Sequence, residues 1–331
     1  MLDYANLLQA AGHQTTVVYP SWPYRFQWSR RQQWHEFQKT RRGPVDVPWF
    51  PLACRLSRVP LIRSRFLPDA DVVIATAWPT VHDVARLPAS KGRKIQIVMH
   101  HESGSGPEPR IREIYRMPFY RIAFSQFVKR TTEAQFDCRV DDVVTNGVDI
   151  RLYYPDGERL RRQVAMLYHP DPRKGADDGL QALARLRAAE PDVAIRLCGT
   201  VRPDRPLPDG MAFDFHPRDA GVRRLLSEST VLLYPSRYEG FGLPPLEAMA
   251  CGCPVVTTDV GAVPEFAVHR QNAIIVPVGD VEGMVRGLQE VLRDRALQAR
   301  LSAAGLATAA ELSLTRVGPW FVEAVERAAG R

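Results

Sequence analysis

No apolar run in this chain approaches the roughly 20 residues that a membrane-spanning helix needs. The longest, such as "VVIA" and "AIIVPV", have the length of buried strands. The opening residues "MLDYANLLQAAG" carry neither a basic start nor a cleavage pattern, so no secretory leader is expected. Cysteine is scarce and odd in number: Cys54, Cys138, Cys198, Cys251 and Cys253 fit no zinc spacing. C-G-C is also not the C-x-x-C redox motif, so buried reduced thiols in a cytoplasmic protein are expected. No internal repeat or low-complexity segment occurs, and no group of residues suggests a metal site.

Acidic residues are short in the first half. Residues 1–147 hold 21 Lys/Arg against 13 Asp/Glu, while 148–331 hold 23 against 24, so the whole net charge of +7 comes from the first half. The segment 21–65 is densest, with ten basic and two acidic residues and four of the six tryptophans, Trp22, Trp28, Trp34 and Trp49. Two readings stay open there: a solvated basic surface over core aromatics, or peripheral contact with an anionic membrane at its inner face, or with a phosphorylated acceptor. No nucleic-acid partner is expected, because no helix-turn-helix, zinc-finger or RNA-recognition signature accompanies the charge.

What is present is the composition of a globular protein, 45% apolar and 24% charged over 331 residues, enough for two domains. Residues 2–11 predict a helix and "TTVVYP" a strand, followed by an irregular stretch over 21–68. "ADVVIATA" predicts a strand, then a helix near 79–87. "KIQIVMHHE" and "YRIAFSQ" predict strands, and a helix starts after Ser125 and runs to Phe136. The second half repeats the rhythm: strands "QVAMLYH", "VAIRLCG", "MAFDFHP", "TVLLYPS", "CPVVTTD" and "NAIIVP" alternate with helices, and helices fill most of 280–328. Continuous apolar strands alternating with helices imply parallel sheets covered on both faces, in two doubly wound α/β domains.

The chemistry concentrates in "PSRYEGFGLPPLEAMACGCPVV". Glu239 and Glu247 stand eight positions apart, just past the C-terminal end of a predicted strand, where open α/β sheets bind ligands. Gly240 and Gly242 let the backbone turn and approach a ligand. Pro244 and Pro245 start a helix, with Pro245 at its first position, whose free N–H groups suit a phosphate. Carboxylates on either side can then accept hydroxyls of a ribose and of a sugar. The structural alternative puts Glu247 at the third helical position of a capping box. That box would rest on Pro244, which has no N–H to give. His100, His101 and Glu102 end another predicted strand, before a loop made adaptable by Gly104 and Gly106.

"E-G-F-G-L-P-P-L-E-A-M-A-C-G-x-P-V-V" resembles the E-x7-E motif of the retaining GT-B glycosyltransferases of family 4 (glycosyl transferases group 1). "NLLQAAGHQTTVV", "TNGVDIRLYYP", "RKG" at 173–175, "GAVPEF" and "NAIIVPVGD" resemble further family segments, in order along nearly the whole chain. The resemblance implies a GT-B fold, two Rossmann-like domains with a cleft between them. The expected division is an acceptor domain over 1–147, a donor domain over 148–309, and a C-terminal helix within 310–331 that packs back on the first. It implies metal-independent, retaining transfer of a sugar from a nucleotide-diphosphate sugar to a glycan, lipid-linked or small-molecule acceptor, without a cofactor. Catalytic roles fall on Glu239, Lys174 and His101. Donor binding falls on Arg173, Gly240, Phe241, Gly242, Leu243 and Glu247, and the acceptor side on His100 and Glu102. A GT-B phosphorylase or epimerase would need site patterns that are absent, and a truncated or degenerate binding subunit is the non-enzymatic alternative. Two departures stand out. Tyr168-His169-Pro170 replaces the family's Gly-Arg pair, and the first strand with its Gly-rich loop is lacking. That strand is central, so the expectation is either an upstream strand or a rearranged domain.

Overall fold

The computed structural model describes residues 1–24, 29–41, 47, 50–100, 102, 106–160 and 162–330. His101, Gly104, Arg42, Trp28 and Trp49 lie outside the described residues. The chain divides into two units: Met1–Val144 with Gly318–Arg331, and Thr145–Val317.

In unit 1 the helix α1 (Leu2–Ala10) leads into β1 (Thr16–Pro20), which pairs in parallel with β2 (Arg55–Val59). Between them stands α2 (Arg30–Thr40). The expected irregular stretch over 21–68 thus holds a helix and a strand. The helix start was readable: Ser29 and Gln32 form a capping box, with the Gln32 N–H donating to Ser29 Oγ at 3.3 Å and the Ser29 N–H to Gln32 Oε1 at 2.9 Å. The strand was hidden by Arg55, Ser57 and Arg58, which leave β2 without an apolar run.

A separate parallel sheet follows in the order β3 (Val72–Ala75), β4 (Arg93–Val98), β5 (Tyr120–Ala123) and β6 (Asp142–Val143). The helices α3 (Trp78–Ala85), α4 (Glu108–Arg116) and α5 (Gln126–Phe136) connect these strands. Ser125 caps α5 by accepting from the Val128 N–H at 3.0 Å. The parallel strands of unit 1 therefore form two pieces, and among the described residues no strand joins them. Burial records the difference. Only Ala75 of β3 is buried, although all four residues are apolar.

Unit 2 is a six-stranded parallel sheet. Its strands are β7 (Gln163–Leu167), β8 (Ala194–Gly199), β9 (Met211–Phe215), β10 (Val231–Tyr234), β11 (Val255–Thr258) and β12 (Ile274–Val276). Their order across the sheet is β12-β11-β10-β7-β8-β9, so the winding reverses between β7 and β10. The helices α6 (Ala176–Ala189), α7 (Asp219–Glu228), α8 (Leu243–Ala250), α9 (Val281–Arg293) and α10 (Arg295–Glu311) complete it. All four residues of β10 and of β11 are buried, as expected for strands covered on both faces. One contiguous core joins Val164, Met166, Leu183, Leu197, Leu233, Val256 and Leu288.

The last helix, α11 (Leu314–Ala329), crosses the division. Its first turn stays with unit 2, where the Leu314 N–H donates to the Val148 carbonyl at 2.9 Å. Its remainder belongs to unit 1. There Phe321 packs on Tyr4 (ring centroids 4.6 Å apart), and Arg327 pairs with Asp142 at 3.1 Å. Among the described residues no helix is long and apolar enough to cross a membrane.

Candidate functional site

The reversal of winding between β7 and β10 opens a crevice at the C-terminal ends of these strands, the place where open parallel sheets receive ligands. Two loops leave from it. After β7, residues Pro172–Lys174 make a single 3₁₀ turn closed by Gly175, which also precedes α6. Gly175 has φ +63°, and a Cβ there would strike the Pro235 carbonyl oxygen, so only glycine fits. After β10, Ser236 and Arg237 lead to Glu239. The Arg237 and Tyr238 N–H groups both donate to the Arg173 carbonyl, at 2.8 and 3.0 Å, and stitch the two loops together.

That stitch brings Lys174 onto Glu239. Lys174 Nζ donates to Glu239 Oε1 at 2.7 Å. Ser236 Oγ reaches the same oxygen at 2.7 Å, and the Tyr234 hydroxyl donates to it as well. Burial and the negative charge of Glu239 push the Tyr234 phenol well above its ordinary range, so it stays a donor. Tyr234, Ser236 and Glu239 are all buried, while Lys174 is half-exposed. Tyr234 and Ser236 are site residues that no motif in the sequence marks. The available signal was two hydroxyl residues five and three positions before Glu239.

Arg173 goes elsewhere. It grips Asp171 with Nη2 at 2.6 Å from Oδ2, and this hydrogen-bonded partner holds Asp171 at about 2. Nearby cations are also matched, Arg237 bidentate to Asp178 at 2.6 and 2.7 Å and Arg205 to Asp177. A cavity of about 390 Å³ opens beside this turn, lined by Tyr168, Gly175, Asp177, Asp204, Arg205 and Arg237 among others.

The glycine loop behaves differently from its sequence reading. Helix α8 begins at Leu243, with Gly242 as its N-cap at φ +90°, so Pro244 and Pro245 are its second and third residues. Two of the first-turn N–H groups are therefore missing, and donors for an anion must come from the loop amides through Leu243. A Cβ on Gly242 would lie 2.8 Å from Val263 Cγ2. Phe241 is buried and stacks on Phe266 with centroids 5.2 Å apart, so its ring anchors the loop and leaves its backbone for a ligand.

Glu247 falls at the fifth helical position, out of reach of a capping box. Its carboxyl has no hydrogen bond or ion pair among the described residues. Burial, with a smaller effect of the Asp219 charge, pushes it up to about 7. A half-buried carboxyl with nothing to accept is poised for a ligand's hydroxyls.

In unit 1, His100 and Glu102 follow β4. Glu102 is 5% exposed, and its Oε2 lies 3.4 Å from His100 Nε2 without hydrogen-bond geometry.

Residues 161–307 match the family described as glycosyl transferases group 1. Over 201 residues the chain is 33% identical to the MMP alpha-(1->4)-mannosyltransferase of Mycolicibacterium hassiacum, covering 57% of this chain and 49% of that protein. Over 275 residues it is 26% identical to the D-inositol 3-phosphate glycosyltransferase of Jonesia denitrificans, covering 71% and 63%. The chain thus spans about half to two thirds of these curated relatives. Among solved structures it is similar to sucrose-phosphate synthase from Thermosynechococcus elongatus, with a TM-score of 0.76 at 17% identity over 98% of this chain and 91% of that one. It is similar also to Anabaena HepE in complex with UDP and glucose, with a TM-score of 0.74 at 16% identity over 98% and 95%. At such identities these likenesses show the fold, which is GT-B.

Proposed function

We propose that the protein is a retaining glycosyltransferase of family 4 that moves a sugar from a nucleotide-diphosphate sugar to a glycan, lipid-linked or small-molecule acceptor. The observation that carries the reading is the Lys174–Glu239 pair at the reversal between β7 and β10. In this reading the bond from the anomeric carbon to the diphosphate oxygen breaks, and negative charge grows on the leaving diphosphate. The Lys174 ammonium and the amides of Gly240 to Leu243 stabilise that charge, as preorganised donors do at developing anions. Glu239 accepts a hydroxyl of the sugar, and Glu247 accepts ribose hydroxyls. His100 and Glu102 serve the acceptor, and the catalytic role read for His101 in the sequence is kept. With Arg173 held by Asp171, Lys174 is the main side-chain cation of the mechanism, and no metal is required. The similarity to HepE, whose structure holds UDP and glucose, supports a donor of this class.

We also propose that α2 touches an anionic membrane surface. It buries none of its residues, exposes 53% of Trp34, and carries Arg30, Arg31 and Lys39, with Arg41 following. An exposed Trp among basic side chains suits the headgroup region.

A thermal-shift panel of UDP, GDP, ADP and dTDP and their sugars, followed by an assay of diphosphate release, tests the enzymatic reading. One nucleotide should stabilise the chain by about 2.7 kcal/mol at a hundred times its Kd. Its sugar conjugate should be turned over. Binding without turnover by any conjugate would favour a binding subunit, and no shift from any nucleotide would overturn the donor site.

A further inference from the structure

Three donors meet on one oxygen of one carboxylate. Lys174, Ser236 and Tyr234 all reach Glu239 Oε1, and Oε2 makes no hydrogen bond among the described residues. A carboxylate oxygen offers about two lone-pair directions, so Oε1 is closed to a ligand and Oε2 is open to one. The three donors differ in mobility. Tyr234 sits on the last residue of a buried strand. Ser236 is fully buried, and its backbone carbonyl accepts from Thr258 Oγ1. Lys174 is a flexible chain, half-exposed, with two ammonium hydrogens free of any partner among the described residues.

This inference rests on the donor reading above. We propose that Lys174 is handed from Glu239 to the diphosphate when the donor binds, and that Tyr234 and Ser236 are positioning residues that keep Glu239 aimed at the sugar. A diphosphate carries more negative charge than one carboxylate and competes for the same ammonium. Loss of that cation alone would leave a buried carboxylate free to swing. Two neutral hydroxyl donors, fixed by the fold, prevent that. The diphosphate and sugar halves of the donor are then coupled, because occupation of the first removes the cation from the carboxylate that serves the second.

Lysine-ammonium and carboxyl-carbon NMR on the full chain, titrated with sodium pyrophosphate, reads the hand-over without any turnover. The Lys174 signal should move on titration. The Glu239 carboxyl-carbon signal should move less in the parent than in a Tyr234→Phe/Ser236→Ala double variant. A Lys174 signal that remains paired with Glu239 at saturating pyrophosphate overturns the hand-over. Kinetics with UDP-glucose and GDP-mannose read the positioning. Tyr234→Phe should lower kcat about tenfold or more, as loss of a hydrogen bond to a charged group does. KM and the Kd for the matching nucleoside diphosphate should stay within about twofold. A parental kcat, or a kcat that falls only in step with the melting temperature, overturns the role. Ser236→Ala supplies the same reading should Tyr234→Phe fold poorly. Movement of Lys174 in a protein that turns over no sugar nucleotide would defeat the glycosyl-transfer reading while supporting the hand-over.

Discussion

Burial of Glu247 ties stability to pH and, in the proposed donor role, affinity as well. Its carboxyl titrates at about 7 in the fold, against an ordinary value of 4.5. Between those values the unfolded chain has released the proton that the folded chain keeps. Stability therefore falls as pH rises from about 4.5 through 7 and is level above. Ribose hydroxyls need the ionised acceptor, so donor affinity should rise over the same window. Glu247→Gln should remove both slopes. Above pH 7 it should weaken nucleotide binding about 10–150-fold, the worth of a charge-assisted bond, measured by calorimetry at several pH values. A variant whose affinity matches the parent at pH 8 would return Glu247 to a structural role. Lys174→Ala should lower turnover on the order of 100–1,000-fold, by analogy with loss of a preorganised donor at a developing anion. Addition of a chelator to the parent enzyme should leave turnover intact, and a full loss would mean that a metal carries the charge. In the sequence Glu247 stands in a long motif and Lys174 in the short R-K-G segment at 173–175. Arg173 precedes Lys174 in the chain, and its pairing with Asp171 depends on which way a side chain turns.

Among the elements, α2 is the one whose sequence and setting disagree. It has a complete capping box and yet buries no side chain, so its helicity depends on local terms. Ser29→Ala should remove about 1 kcal/mol of that support. Amide exchange over residues 33–40 should then quicken several-fold while the melting temperature holds. An unchanged exchange pattern would mean that packing on Trp22, through Phe37 at 5.7 Å, holds the helix instead. Neutralising Arg30, Arg31, Arg41 and Arg42 together should reduce co-sedimentation with vesicles of anionic lipid. Each basic residue near such a surface contributes about 1 kcal/mol, and added salt should weaken the parent's attachment. Equal co-sedimentation of parent and variant would leave an ordinary solvated face. Strand β2 shows the limit of pattern reading at this scale. Its arginines suit a strand with half-open faces, a property that belongs to the neighbours and not to the segment.

Across the whole molecule the family match covers residues 161–307, while the structural likeness to sucrose-phosphate synthase covers 98% of the chain. Unit 2 carries the long motif that starts at Glu239, whereas the strands of unit 1 offer only an apolar pattern, which many sequences satisfy. That pattern was enough to locate β1, β3, β4 and β5, and the Ser125 cap located the start of α5. The sequence by itself determined the alternation of strands and helices, the two α/β units and the placement of Glu239 and Glu247 after the C-terminal end of a strand. All of these follow from periodicity and turn chemistry, which act over a few residues. Tertiary structure alone decided that α8 begins at Leu243 with Gly242 as its cap, that Phe241 faces Phe266, and that the parallel strands of unit 1 form two pieces. It alone also placed Lys174, Ser236 and Tyr234 on a single carboxylate oxygen. Lys174 and Glu239 are 65 positions apart, and only the winding of β7 and β10 into adjacent strands makes them neighbours.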